Sequence, residues 1–458
     1  MALVFLAAGC VRYSPAPISV AGNLQSRATR TLDQAAVDRM VHQIAPRAEP
    51  SGSNLDRLSL FAAILILDPR VEAARAAIET AKAQARASRK GPGAVLNLTS
   101  EYANDPATRS PWLLGGTIDI PIDAGGRRIA RLTTANIAVS VARYSFAETL
   151  WAERMAVRRA LTDRMIALRQ GELARAISAL RERQLAVMER KLHAGAAARP
   201  DIVPVRLAQT SAARIASDAD ARRAQADQAI AALLGLSETG LSAFEFHWAE
   251  FDTPAVDPLS PLPSGARDQA ITARSDILKA LAAYDQTEAD LRGEVARQYP
   301  AIIVSPGYTW ERGLVKLPLS VGLALPPLDL NRNAIAAAMA KRDQAGKQIE
   351  AQISQAAAAF DAAAAERRQS FAILTRIRSS DLPAARRLAA QADAELGQGS
   401  IDRAEWVVAQ IAVLQYRQAE LDALARVQAA DAALEDAMQR PLEGPEQMIE
   451  NVLSGMAP

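Results

Sequence analysis

Apolar and polar positions change their period twice along this chain, in the same order each time. Apolar residues recur at helical spacing from near Leu55, past Asp68-Pro69, to about Lys90, where Gly91-Pro92-Gly93 stops the pattern. The period then becomes two: Leu96, Leu98, Ser100 and Tyr102 share one face, and Asn97, Thr99 and Glu101 the other. After a turn at Asn104-Asp105-Pro106, Leu114, Gly116, Ile118, Ile120 and Ile122 oppose Thr117, Asp119 and Asp123, which predicts a hairpin over 94–122 with one apolar and one polar face. A proline-free helical run follows from Arg127 to about His193, ends at Ala194-Gly195-Ala196 and Pro200-Asp201, and returns as a shorter helix from Asp201 to about Leu234. At ~1.5 Å per residue the longer run reaches on the order of 100 Å.

The second half repeats this order. Ile302, Val304, Tyr308 and Trp310 oppose Ser305, Thr309 and Glu311, and then Leu317, Leu319, Val321, Leu323 and Leu325 oppose Lys316, Ser320 and Gly322, predicting a hairpin over 301–325. A helical run from Asn333 to about Leu396, broken only by Pro383, turns at Gly397 to Gly399 and returns from Asp402 to Arg440. Tyr102 and Tyr308 lie 206 positions apart, whereas the second strands align at 205, so the loop in the second hairpin is one residue shorter. Two duplicated units follow, each with a little strand and much helix.

The expected organisation is an N-terminal signal remnant over 1–10 and a segment over 11–54, extended or irregular. The first repeat covers 55–235, an irregular proline-rich equatorial linker 236–268, the second repeat 269–440, and a tail 441–458. Helices this long, antiparallel and rich in alanine pack as coiled coils rather than as a globule.

Each predicted strand has about nine to eleven residues, the length a tilted strand needs to cross a bilayer. The longest apolar stretch, Phe61 to Leu67, is far short of the roughly 20 residues of a membrane-spanning helix, so any crossing falls to strands. Four strands cannot close a membrane barrel, whose smallest members have about eight; three chains would supply twelve under threefold symmetry. Asn97, Thr99, Glu101, Asp119, Ser305, Thr309 and Glu311 then form the lumen-facing set, and Tyr102, Trp112, Tyr308 and Trp310 fall near strand ends, where an interfacial girdle would put them. The alternative is a small soluble sheet with aromatics in its core.

Composition narrows the chemistry. Lys and Arg total 53 against 51 Asp and Glu, interleaved along the helices, so the basic footprint of a nucleic-acid surface is missing. The three histidines, His42, His193 and His247, are far apart, which predicts no metal site, and no nucleotide or nucleophile motif suggests a cofactor or an enzyme. Cys10 is the only cysteine and follows Leu6-Ala7-Ala8-Gly9 in a pattern similar to a bacterial lipoprotein signal. Lipidation at Cys10, with Val11 rather than Asp after it, implies sorting to the outer membrane. The alternative is a chance cysteine. The apolar opening lacks Lys or Arg and is short, which points to a start further upstream.

Taken in order, strand pair, proline–glycine turn, very long helix, glycine turn with an acid and returning helix, duplicated behind a lipobox, resemble the TolC family of outer-membrane efflux proteins. The best matches are Pro121 to Arg128 at the hairpin exit and the turns Gly195 to Asp201 and Gly399 to Glu405, each with an acid six residues after a glycine. The resemblance implies a mainly α, duplicated chain that forms a homotrimer. A 12-stranded β-barrel sits in outer-membrane lipid, continued by a long periplasmic α-helical barrel. It further implies a passive exit duct gated at its helical tip, with a periplasmic adaptor protein contacting Gly195 and Gly399 and an inner-membrane transporter of the RND type supplying energy. Glu405, with Asp402 and Asp201 nearby, corresponds to the family's cation-sensitive entrance; the further acid three residues on is Val408 here. Asp201 and Asp402 also read as first-turn acids favoured by the helix dipole. The rival from another class is a soluble periplasmic coiled-coil scaffold.

Overall fold

The structure is a computed structural model that describes residues 13–49, 54–104, 110–123, 125–241, 244–254 and 265–449. Cys10 lies outside the described residues, so its proposed lipidation has no structural counterpart here.

In the first unit, α3 (Arg57–Leu67) and α4 (Pro69–Ser88) lead into β2 (Val95–Tyr102) and β3 (Trp112–Ile122), followed by α5 (Arg127–His193) and α6 (Arg199–Leu233). In the second, α9 (Ser275–Ala296) leads into β5 (Ala301–Glu311), β6 (Leu314–Lys316) and β7 (Leu319–Ala324), followed by α10 (Arg332–Arg376), α11 (Leu382–Gln398) and α12 (Arg403–Met438). Local signals set these ends: Asp56 and Asp68 cap α3 and α4 by accepting from Ser59 N–H and Arg70 N–H, each at 2.8 Å. Among the described residues, no helix is long and apolar enough to cross a membrane.

The helices pack in antiparallel pairs. Buried alanines recur every seven residues at Ala160, Ala167 and Ala174 on α5, and at Ala212, Ala219 and Ala226 on α6. A seven-residue repeat is a coiled-coil seam, and methyl side chains let the two backbones approach closely. The larger apolar core lies at mid-height, where α3, apolar all round, packs against α4 and α5; Leu58, Leu60, Ile64, Leu161, Ile230 and Val427 are all buried there.

Three stretches differ from the sequence expectation. Within the segment over 11–54, expected to be irregular, the described residues form two helices, α1 (Val20–Thr29) and α2 (Gln34–Ile44), capped by Ser19 and Asp33. The cause is short-range: Val37, Val41 and Ile44 make one buried stripe on α2, too brief to register as a sustained period. The linker over 236–268 holds α7 (Glu238–Leu241), α8 (Ala266–Thr272) and β4 (Glu245–Phe246), which pairs in parallel with β1 (Asn54–Leu55). Its described part is held in place by Leu241, Trp248 and Phe251, which bury themselves in the mid-height core. Finally, the break before Pro383 is a π-helical turn, Ile377–Asp381. Proline has no N–H for the Ser379 carbonyl, and a widened turn absorbs the lost bond.

Candidate functional site

Four strands form one open antiparallel sheet in the order β2, β3, β5, β7, with β6 continuing the register of β7 along β5. Register decides which side chains share a face. Asn97 pairs with Thr117, Gly115 with Thr309, Leu113 with Glu311 and Ser305 with Ser320. Alternation then puts Asn97, Thr99, Glu101, Asp119, Ser305, Thr309 and Glu311 on one face, joined by Thr117, Lys316 and Ser320. Asn97 donates to the Asp119 carboxylate at 2.7 Å, and Lys316 pairs with Glu311. The opposite face carries Leu96, Leu98, Leu114, Ile118, Ile120, Val321 and Leu323, all exposed. Tyr102, Trp112, Tyr308 and Trp310 lie on that apolar face at the end remote from the helices, and Tyr102 meets Trp112 edge-on at 5.0 Å. Among the described residues, the outer edges of β2 and β7 pair with no strand.

At the far end of the helices the two units turn alike. Gly195 and Gly399 both sit at φ +75°, and the following N–H groups of Ala196 and Ser400 reach back to the Lys191 and Glu395 carbonyls at 2.8 and 2.9 Å. This closure needs a left-handed residue after the helix, which glycine adopts without the cost a Cβ imposes. Each returning helix is then capped by an acid in its third position: Asp201 accepts from Ala198 N–H at 2.9 Å and Glu405 from Asp402 N–H at 3.1 Å. Asp402 completes a reciprocal capping box by accepting from Ala404 and Glu405 N–H groups at 2.7 and 3.0 Å. The two tips are tied together by Lys191 of α5, whose ammonium meets the Asp402 carboxylate.

Lys191, and then the backbone N–H groups, hold the Asp402 carboxyl below the usual aspartate range. A depressed acid stabilises the fold above its unfolded pKa, and that contribution disappears as pH falls through the folded value. Asp402→Ala removes the cap at a cost of about 1 kcal/mol, which corresponds to roughly fivefold faster hydrogen exchange at Ala404 and Glu405. In the wild type the same amides should loosen only under acid, once exchange is corrected for its intrinsic rate. An alanine variant with unchanged exchange would show that the box does not hold the tip.

A second set of functional-looking side chains escaped the sequence reading. At mid-height, Arg154 and Arg158 of α5 both donate to Glu435 of α12, at 2.8 and 3.1 Å, and all three are essentially excluded from solvent. Leu442 N–H adds a bond to Glu435 at 3.0 Å. Arg57 pairs with Glu446 at 3.2 Å, donates to the Glu443 carbonyl at 3.2 Å and stacks on Trp248 at 4.3 Å. Nearby, Arg367 donates to Asp431 at 2.8 Å. Burial alone would push the Glu435 carboxyl up, but Arg158, Arg154 and the Leu442 N–H together hold it below the usual range. Burial wins at Asp431, which is raised. The visible signal was phase: Arg154 and Arg158 fall in the stripe of Leu150, Val157 and Leu161, and Asp431 and Glu435 in that of Leu424, Val427 and Met438.

An open sheet with one polar and one apolar face, standing on helical hairpins on the order of 100 Å long, defines a subunit of a strand barrel continued by a helical barrel. Residues 60–236 match the family described as outer membrane efflux protein. A membrane protein from Pseudomonas aeruginosa has the same fold at 20% identity and TM-score 0.69, over 94% of this chain and 99% of that one. The outer membrane protein VceC of Vibrio cholerae aligns at 16% identity and TM-score 0.68, over 84% and 96%. The open state of the Neisseria gonorrhoeae MtrE outer membrane channel aligns at 17% and 0.66, over 84% and 89%. No curated protein is matched by the sequence.

Proposed function

We propose that this protein is the outer-membrane channel of a tripartite efflux system, a passive duct whose helical end opens and closes by repacking. The observation that carries this function is the sheet: apolar on one face, polar on the other, with both edges unpaired among the described residues. In lipid an unpaired edge is untenable, so the strands must join those of other copies into a closed barrel. Three copies give twelve strands, with Asn97, Thr99, Glu101, Asp119, Ser305, Thr309 and Glu311 lining water and the leucine face against lipid. A soluble scaffold would leave that broad apolar face uncovered.

A periplasmic adaptor meeting the turns at Gly195 and Gly399, and an inner-membrane transporter of the RND type, complete the proposed assembly. At the tip, Glu405 keeps an exposed carboxylate while anchoring its own cap. Such a group, repeated by symmetry, would form a ring of negative charge at the entrance. Glu405→Ala is therefore expected to weaken cation block of single-channel current in planar bilayers; unchanged block would remove Glu405 from the entrance. Fractionation tests the whole proposal: a channel needs detergent for release and runs as a trimer, whereas release by osmotic lysis would overturn it.

A further inference from the structure

The apolar face of the sheet is finished differently at its two ends. The end remote from the helices has Tyr102, Trp112, Tyr308 and Trp310, whereas the helix-side end closes on Leu96, Ile120, Ile122, Leu323 and Leu325 without an aromatic girdle. Just beyond that rim the two units enter their long helices through equivalent backbone turns, and there they diverge. Each turn has two successive residues with positive φ, Gly125 and Gly126 at +69° and +87° in the first, Leu330 and Asn331 at +54° and +61° in the second. The first turn packs inward: a Cβ on Gly125 would stand 3.1 Å from Tyr299, and Asp123 pairs with Arg131 at 2.7 Å.

The second turn faces outward. Leu328 is fully exposed, and Leu330 and Leu325 are exposed beside it. The turn is nonetheless held: Asn331 donates its side-chain N–H to the Glu294 carbonyl at 2.9 Å, and Asp329 accepts from Asn331 N–H at 3.0 Å. Its polar groups are thus spent on the protein, and its leucines are left without partners. A left-handed leucine costs about 1–2 kcal/mol more than glycine would, and strain of this kind persists where it serves a function. Two exposed guanidinium groups flank the rim, Arg128 and Arg332, and neither makes a hydrogen bond or ion pair among the described residues.

We propose that the turn Pro326–Asn331 is a membrane-interface anchor: Leu328 and Leu330 enter the acyl boundary of the periplasm-facing leaflet, and Arg128 and Arg332 hold lipid phosphates beside them. The partner is a phospholipid leaflet because the leucines continue the outward apolar face of β7, and because free guanidinium groups at its border complement phosphate. This inference rests on the channel function proposed above, since it requires that face to contact lipid.

Spin labels at Leu328→Cys and, as a control on the outward face, Val321→Cys would be placed in the full chain with Cys10 kept, the unsubstituted chain serving as the labelling blank, and reconstituted in phospholipid nanodiscs. Collision rates with oxygen and with a water-soluble nickel chelate then report depth. Oxygen-dominated collisions are expected at both positions, shallower at Leu328, and Arg128→Gln with Arg332→Gln should shift the Leu328 label toward the nickel chelate. A label at Leu328 open to the nickel chelate, or mobile to neither reagent because a second copy covers it, would overturn the anchor while lipid contact at Val321 keeps the channel function standing. If the label at Val321 also meets water, the channel function itself fails. An unchanged depth in the arginine variant would remove the phosphate contacts.

Discussion

Glu435→Ala is expected to destabilise the protein by about 3–5 kcal/mol, because it strips the shared partner from two buried guanidinium groups. Arg154 and Arg158 have no water to fall back on: both are buried, and their other contacts include Glu446, Met155 and the Trp151 and Trp248 rings. Denaturant melting of the purified protein, with the amount reaching the membrane as a second readout, would check this. Replacing all three residues together, Glu435→Met with Arg154→Leu and Arg158→Met, should recover most of the loss, since desolvating an ion cluster costs about as much as it returns. A single alanine variant within about 1 kcal/mol of wild type would refute the argument. The pH dependence has a fixed sign. Glu435 is held below the ordinary carboxylate range, so its contribution is complete above that range and is lost as pH drops through the depressed value.

Gly444→Ala should be nearly as damaging, at roughly 3 kcal/mol or more. The residue sits at φ +86° and ψ −178°, a region that only glycine occupies readily. A Cβ built there would stand 1.4 Å from Arg57 Nη2, and that guanidinium cannot retreat because it is buried against Trp248 and paired with Glu446. Two costs therefore add, backbone strain and a displaced ion pair. In an Arg57→Ala background only the strain should remain, so the penalty of Gly444→Ala falls by about 1–2 kcal/mol. Equal penalties in both backgrounds, measured by the same melting experiment, would show that Arg57 and Gly444 do not oppose each other.

Much of this was legible in the chain, for identifiable reasons. Period-two alternation in Leu96–Tyr102 and Leu317–Leu325 gave the faces of the sheet because each strand carries polar side chains on one side and mostly apolar ones on the other. The proline-free stretch and the Ala-Gly-Ala break bounded α5 because glycine closes a helix in a way few residues can. What stayed hidden depends on contacts far apart in sequence. Arg57 meets Glu446 across nearly the whole chain, and Glu435 meets Arg154 across most of it. A lone arginine in an apolar stripe says that something must neutralise it, but not which carboxylate does so. The tip acids were found by spacing, yet their reciprocal hydrogen bonds emerged only once Asp402 was seen at the cap and Glu405 three residues on.

The alanine seam between α5 and α6 has a mechanical side. A methyl that leaves its neighbour uncovers very little, on the order of 0.8 kcal/mol for each carbon, so these staves can tilt against one another cheaply. The collar at mid-height is made of bulky side chains and caged ions that tolerate no such slippage. In the channel proposed above, the helical end beyond the collar would widen or narrow while the collar keeps its shape.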